Sequence, residues 1–200
     1  MLRSRLNRLR RALVRALGFR IVFGEAAADG RPLPRTRISP STCIENGQGL
    51  VLADNVFIGH FNFIEASHGV RIEAGVQITN YVSIVSHSSH RSLRLMGEAY
   101  TEAADARPGF VAGEVRIGAY SYIGPHCLIE AGTRIGKGCL VQAFSRVRGE
   151  FADFAVIGGN PAVVVGDTRD ADARLLAEHP QWRARYEAWA GVAPAEAPDA

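Results

Sequence analysis

The chain has 200 residues, 47% hydrophobic and 22% charged, the balance of one soluble globular domain. No apolar run approaches the ~20 residues that span a bilayer. Residues 1–20 lack the uninterrupted apolar stretch of a secretory signal, which predicts a cytoplasmic location. The net charge of +3 is uneven: residues 1–20 hold seven arginines and no acid, while the other 180 carry 16 basic and 20 acidic side chains. The body is therefore mildly acidic, which argues against a nucleic-acid-binding surface.

Residues 1–18 read as a basic amphipathic helix. Leu2, Leu6, Leu9, Leu13 and Leu17 fall at helical spacing with arginines on the other face, and Gly18 is a stop signal. Such a helix either packs on the end of the domain or lies on an anionic membrane surface. Residues 19–37, with Gly24, Gly30, Pro32 and Pro34, form a lead-in to the domain spanning 19–166.

From there the aliphatic residues recur every six positions. Ile38 and Ile44 begin the pattern; Leu52, Ile58 and Ile64 form one run, and Ile72, Ile78 and Ile84 the next. A third run, Ile117, Ile123, Ile129, Ile135, Val141 and Val147, is unbroken. Two places before each lies a smaller residue, among them Val56, Asn62, Ser121, Cys127, Cys139 and Ser145. Helices space apolar residues three and four apart, and ordinary strands alternate without interruption. Two alternating positions followed by a turn, repeated, predict an all-β chain coiled into a parallel β-helix. Cys127 and Cys139 are then small interior residues, as is Cys43, and three thiols with no C-x-x-C pair fit a reducing compartment. The steps Ile44 to Leu52 and Ile64 to Ile72 are eight residues, each a two-residue corner insertion.

Residues 88–114 interrupt the repeat with about 27 residues of no clear periodicity, a length that in a compact domain marks a functional or disordered loop. Gly158, Gly159, Asn160 and Pro161 form a turn after the last coil. In the C-terminal segment, 167–200, residues 169–179 suit a short helix ending before Pro180. Trp182, Tyr186 and Trp189 share one helical face and are expected to cap the open end of the coil, and 190–200 reads as disordered.

The long loop begins with Ser86-His87-Ser88-Ser89-His90, directly after the coil residue Ile84. A histidine held by a rigid coil on one side and a loop on the other is suited to act as a general base. Six histidines occur in all, but His87 and His90 fall on no obviously matching coil position, so no metal site is expected.

The segment from His87 to Tyr100, with Gly97-Glu98-Ala99-Tyr100 ten residues after the histidine, resembles the active-site loop of hexapeptide-repeat O-acetyltransferases such as the galactoside and maltose enzymes. The stretch from Ile117-Gly through Ala143-x-Ser-x-Val147 to Gly159-Asn-Pro161 runs in step with that family, so the resemblance covers about 36–166. Its flavour is that of surface-polysaccharide acyltransferases. The resemblance implies a left-handed β-helix, a homotrimer, acetyl-CoA as donor and a carbohydrate hydroxyl as acceptor. It makes His87 the catalytic base and Glu98 an acid that orients it or binds the acceptor. His90 and Tyr100 lie in the same acceptor-binding loop. Either His60 or Asn62 corresponds to an acceptor-binding residue, with Asn62 alternatively a stacked interior side chain. Tyr122, Pro125, Ala143, Arg148 and Asn160 fall at cofactor-contacting positions. Pro125 departs from the family, since proline has no N–H to offer an oxyanion.

The resulting expectation is a cytoplasmic O-acetyltransferase acting on a surface-polysaccharide precursor, an acceptor that could be lipid-linked and reached through peripheral membrane contact of 1–18. Competing readings are an N-acyltransferase on a nucleotide-linked amino sugar and a non-catalytic β-helix scaffold.

Overall fold

A computed structural model describes residues 2–103 and 107–191. Successive short strands pass to three parallel sheets in strict rotation. The first face stacks Arg37–Ile38, Phe57–Ile58, Gln77–Ile78, Tyr122–Ile123, Leu140–Val141 and Ala155–Gly159. The second stacks Cys43–Glu45, Phe63–Glu65, Ser83–Val85, Leu128–Ile129 and Arg146–Val147. The third stacks Leu50–Leu52, Val70–Ile72, Val115–Ile117, Arg134–Ile135 and Glu150–Phe151. This is a three-sided parallel β-helix with helices at both ends. The hexad positions form its core: Ile58, Ile78, Ile123 and Val141 on the first face, Ile64, Ile84 and Ile129 on the second and Ile117 on the third are fully buried, stacked face by face.

The register explains the spacing. Strands on the first face pair Phe57 with Gln77, twenty residues on, and Tyr122 with Leu140, eighteen on. Three hexads make eighteen, so the earlier coils carry the two-residue corner insertion. The corners need a left-handed residue, and Phe61, Tyr81, His126 and Phe144 supply it at one corner, with φ between 57° and 62°. Elsewhere the coils approach so closely that only glycine fits. A Cβ on Gly118 would stand 2.5 Å from backbone atoms of Gly136 and Lys137.

Gln77 pairs with Tyr122 across forty-five residues, and the extra 27 are the interruption. It is ordered where described. His87–Ser88 pairs antiparallel with Val111–Ala112, pinching the loop at its base, and helices α2 (His90–Met96) and α3 (Ala99–Glu102) fill it. The apparent lack of periodicity came from elements too short to show any.

At the N-terminus, α1 (Leu2–Val14) continues through a π-helical turn, Arg15–Phe19. Leu6, Leu9, Leu13 and Leu17 are all more than half exposed, Leu17 at 80%, so within one chain the helix does not bury its apolar stripe on the coil. At its end the Phe19 ring lies 5.4 Å from Phe61 and 5.7 Å from His60. Ala155–Gly159 turns at the cis Asn160–Pro161 bond into the antiparallel Ala162–Asp167. Helix α4 (Thr168–Glu178) follows, its first turn capped by Asp167, which accepts from the Arg169 N–H at 2.9 Å. Helix α5 (Arg183–Ala190) carries Trp189 onto Tyr120 (4.6 Å) and Phe154 (6.0 Å). The aromatic face thus covers a flank corner of the last coils instead of capping the open end. The expected disorder of 190–200 falls, beyond Gly191, outside the described residues.

Candidate active site

His87 leaves the coil at the corner between the second and third faces. The twenty-residue register places Glu65 beside Val85 and brings Ser67 beneath His87. Glu65 is the residue that sequence reasoning missed. Its side chain is 5% exposed, and its Oε2 lies 2.7 Å from His87 Nδ1. Oε2 also accepts from Ser86 Oγ at 2.8 Å, and Oε1 accepts from the backbone N–H of Ser67 at 2.8 Å and from Asn46 Nδ2 at 3.3 Å. Burial alone would push this carboxyl up; donors from Ser67, Ser86 and His87 outweigh it and hold the group at about 2. The carboxylate is therefore ionised near neutrality and can only accept. Nδ1 of His87 must carry the proton, leaving the Nε2 lone pair free to accept one.

The imidazole is also held from its faces. Phe110, just before the return strand of the loop, stacks on it at 5.3 Å and 15°, and the His68 ring lies 5.6 Å away. Ser67 Oγ bridges the two histidines, 3.1 Å from His87 Nδ1 and 2.9 Å from His68 Nδ1. Beside the pair opens a cleft of about 320 Å³, lined by Val85, His87, Ser88, His90, Leu128, Glu130 and Arg148.

The other expected site residues divide between places. His90 and Arg148 reach this cleft. His90 opens α2, its Nδ1 2.7 Å from Ser88 Oγ. Glu98 is exposed at the start of α3, and the carboxylate paired with His87 is Glu65 instead. Tyr100 lies under the Arg107 guanidinium, 4.7 Å above its ring.

His60, Asn62, Pro125 and Ala143 belong to the corner between the first and second faces, the far edge of the second sheet. The Asn160 turn adjoins them through Gly159, whose N–H donates to Ser145 Oγ at 3.2 Å. Within one chain these residues do not meet His87. His60 is engaged by Ser39 Oγ at 2.6 Å. Asn62 is 2% exposed and spent on the coil: its Nδ2 donates to Thr79 O (2.7 Å) and Gly59 O (3.1 Å), and its Oδ1 accepts from the Val82 N–H (2.7 Å). It is a stacked interior residue and not free to bind an acceptor. Tyr122 stands exposed on the first face, between Gln77 and Leu140. Among the described residues no group of three or more His, Cys, Asp or Glu could hold a metal ion.

The coil of hexads is thus interrupted by a loop that seats a carboxylate–imidazole pair beside a cleft. Residues 112–149 match the family described as bacterial transferase hexapeptide (six repeats). The structure resembles the maltose O-acetyltransferase from Clostridium difficile 630, with a TM-score of 0.52 and 21% identity over 63% of this chain and 63% of that one. It also resembles AntD, an N-acyltransferase from Bacillus cereus in complex with dTDP and 3-hydroxybutyryl-CoA (TM-score 0.52, 18% identity, 86% of this chain and 95% of that one). A galactoside acetyltransferase in complex with coenzyme A gives a TM-score of 0.50 at 21% identity, over 68% and 62%. The chain thus spans less than two thirds of both sugar acetyltransferases. No curated protein matches it in sequence. At these identities the likeness is one of fold.

Proposed function

We propose that the chain is an acetyl-CoA-dependent O-acetyltransferase with a left-handed coil, acting on a sugar hydroxyl of a surface-polysaccharide precursor. The observation that carries this reading is the Glu65–His87 pair at the mouth of a cleft. A hydroxyl is a poor nucleophile at pH 7 and needs a positioned base. Nε2 of His87 takes the hydroxyl proton as the oxygen forms its bond to the thioester carbonyl carbon. The tetrahedral oxyanion collapses, the C–S bond breaks, and the CoA thiolate takes the proton back from the imidazolium. Glu65 stabilises that imidazolium without itself being protonated, as a carboxylate held at about 2 should.

The separation of the two corners supports a homotrimer. A neighbouring copy could present Pro125, Ala143 and Asn160 to the His87 cleft, which one chain cannot do. The exposed arginine- and leucine-rich α1 supports peripheral contact with an anionic membrane on its cytoplasmic side, where lipid-linked precursors would be met. No described helix is long and apolar enough to cross a membrane. A second reading, N-acylation of a nucleotide-linked amino sugar, is favoured by the larger share of both chains aligned with the N-acyltransferase AntD.

The test is calorimetric titration with acetyl-CoA. Saturable binding near one per subunit is expected. A flat titration of folded protein would overturn the donor and leave the scaffold reading.

A further inference from the structure

The C-terminal helices leave a groove that the site at His87 does not use. It lies beside Tyr120, at the corner between the third and first faces, and has a volume of about 480 Å³. From α4 it is lined by Asp172 and Leu175; from α5 and the turn before it, by Trp182, Arg185, Tyr186 and Trp189. Those last four sit at i, i+3, i+4 and i+7, so one helical face is turned to the groove. Both tryptophans of the chain are among them. The rings leave open surface: Trp182 is 46% exposed and Tyr120 44%. Two charged side chains stand in this aromatic setting without a counter-ion. Arg185 has no hydrogen-bond or ion-pair partner among the described residues, and Asp172 enters no ion pair there. Burial pushes the Asp172 carboxyl up and the Tyr186 phenol up to about 12. A concave, mostly apolar cleft with a few convergent polar groups is the general form of a small-molecule site.

We propose that this groove binds one hexose ring of a glycan. An ionised carboxylate only accepts hydrogen bonds and a guanidinium only donates them. A sugar hydroxyl does both, so neighbouring hydroxyls of one ring can serve Asp172 and Arg185 together. One group of each sign favours neither a polyanion nor a cation. The C–H faces of the sugar supply apolar surface for Trp182 and Tyr120. A planar base fits less well: Trp189 meets Tyr120 at 29° and Tyr186 at 64°, so the aromatics offer no parallel-walled slot. A puckered ring needs none. His87 stands at a different corner, between the second and third faces, so this subsite grips a glycan unit other than the one at the base. The binding itself does not depend on the acetyl-transfer reading.

Because both tryptophans line the groove, intrinsic tryptophan fluorescence reports on it and not on the His87 cleft. Methyl glycosides of glucose, galactose, mannose and N-acetylglucosamine are titrated into the full chain. At least one is expected to give a saturable change with a Kd of about 0.1 to 10 mM. Asp172→Asn and Arg185→Ala each remove one charged hydrogen-bonding group and should raise that Kd about tenfold or more. Melting temperatures serve as the folding control, and acetyl-CoA binding by calorimetry should be unchanged in both variants. No saturable change with any glycoside, or an unaltered Kd in both folded variants, would overturn the inference and leave the acetyl-CoA reading standing. A response to adenosine but to no glycoside would overturn it in favour of a nucleoside. A change on dilution with no glycoside response would overturn it in favour of a second copy of the chain. If Asp172→Asn does not fold, Arg185→Ala decides, since Arg185 is exposed and without a partner to lose.

Discussion

Glu65 sets what His87 can do. Its five donors keep it charged, and its charge keeps the histidine proton on Nδ1. Removing the base in His87→Ala should lower kcat about 10²- to 10⁴-fold, measured as CoA release in the presence of acceptor. A loss of only a few-fold would favour an amine acceptor, which needs less activation. Glu65→Gln can still accept but brings no charge to the imidazolium. It should cut kcat at least about tenfold and leave the KM for acetyl-CoA little changed; a raised KM at constant kcat would speak against an orienting role. The same residue predicts an acid limb in stability. Its folded value of about 2 lies below the ordinary 4.5, so its contribution is complete above pH 4.5 and fades as pH falls toward 2. The contribution at neutral pH is at most about 3 kcal/mol. The melting-temperature gap between wild type and Glu65→Gln should therefore narrow between pH 4.5 and 2. Nothing in the His87–Tyr100 segment points to Glu65, because the pairing crosses between coils. The signal that could have found it is the twenty-residue step, which sets Ile64-Glu65-Ala66-Ser67 under Ile84-Val85-Ser86-His87.

At the scale of elements, each hexad is a strand and a corner, and columns of equivalent positions are the units of stability. Asn62 shows how a polar side chain enters such a column: it satisfies backbone groups of the coils at a turn. Asn62→Ala strands the Val82 N–H and the Thr79 carbonyl in a dry interior. A loss of about 2 kcal/mol or more is expected from urea denaturation, with acetyl-CoA affinity retained if folding is. The hexads were legible in the sequence because the burial period of the coil is written directly into residue type. The interruption was legible only as a gap. Its hairpin is two residues a side and its helices seven and four residues long, too short for amphipathic period to emerge.

At the scale of the whole molecule, two features are unfinished in one chain. The cleft at His87 and the corner bearing Pro125, Ala143 and Asn160 stand at opposite edges of the second face. Leu6, Leu9 and Leu13 of α1, and Leu17 after it, face solvent. Sedimentation of the purified protein should give a trimer; a monomer that still turns over acetyl-CoA would sink the shared-site reading. Deleting residues 1–18 should abolish binding to anionic liposomes and leave acetyl-CoA binding intact. Unchanged liposome binding would instead assign those leucines to contacts between copies.

The sequence by itself determined the coil, its core, the corner insertions and the loop bearing the candidate base. Each rests on a short-range period, and a six-residue repeat has few ways to bury its aliphatic residues. Tertiary structure decided which acid meets His87, that Asn62 is consumed by the core, and that the C-terminal aromatics cover a flank. Those outcomes depend on which residues of neighbouring coils become adjacent. Adjacency is set by summed corner lengths and by packing across the chain, which no local pattern records.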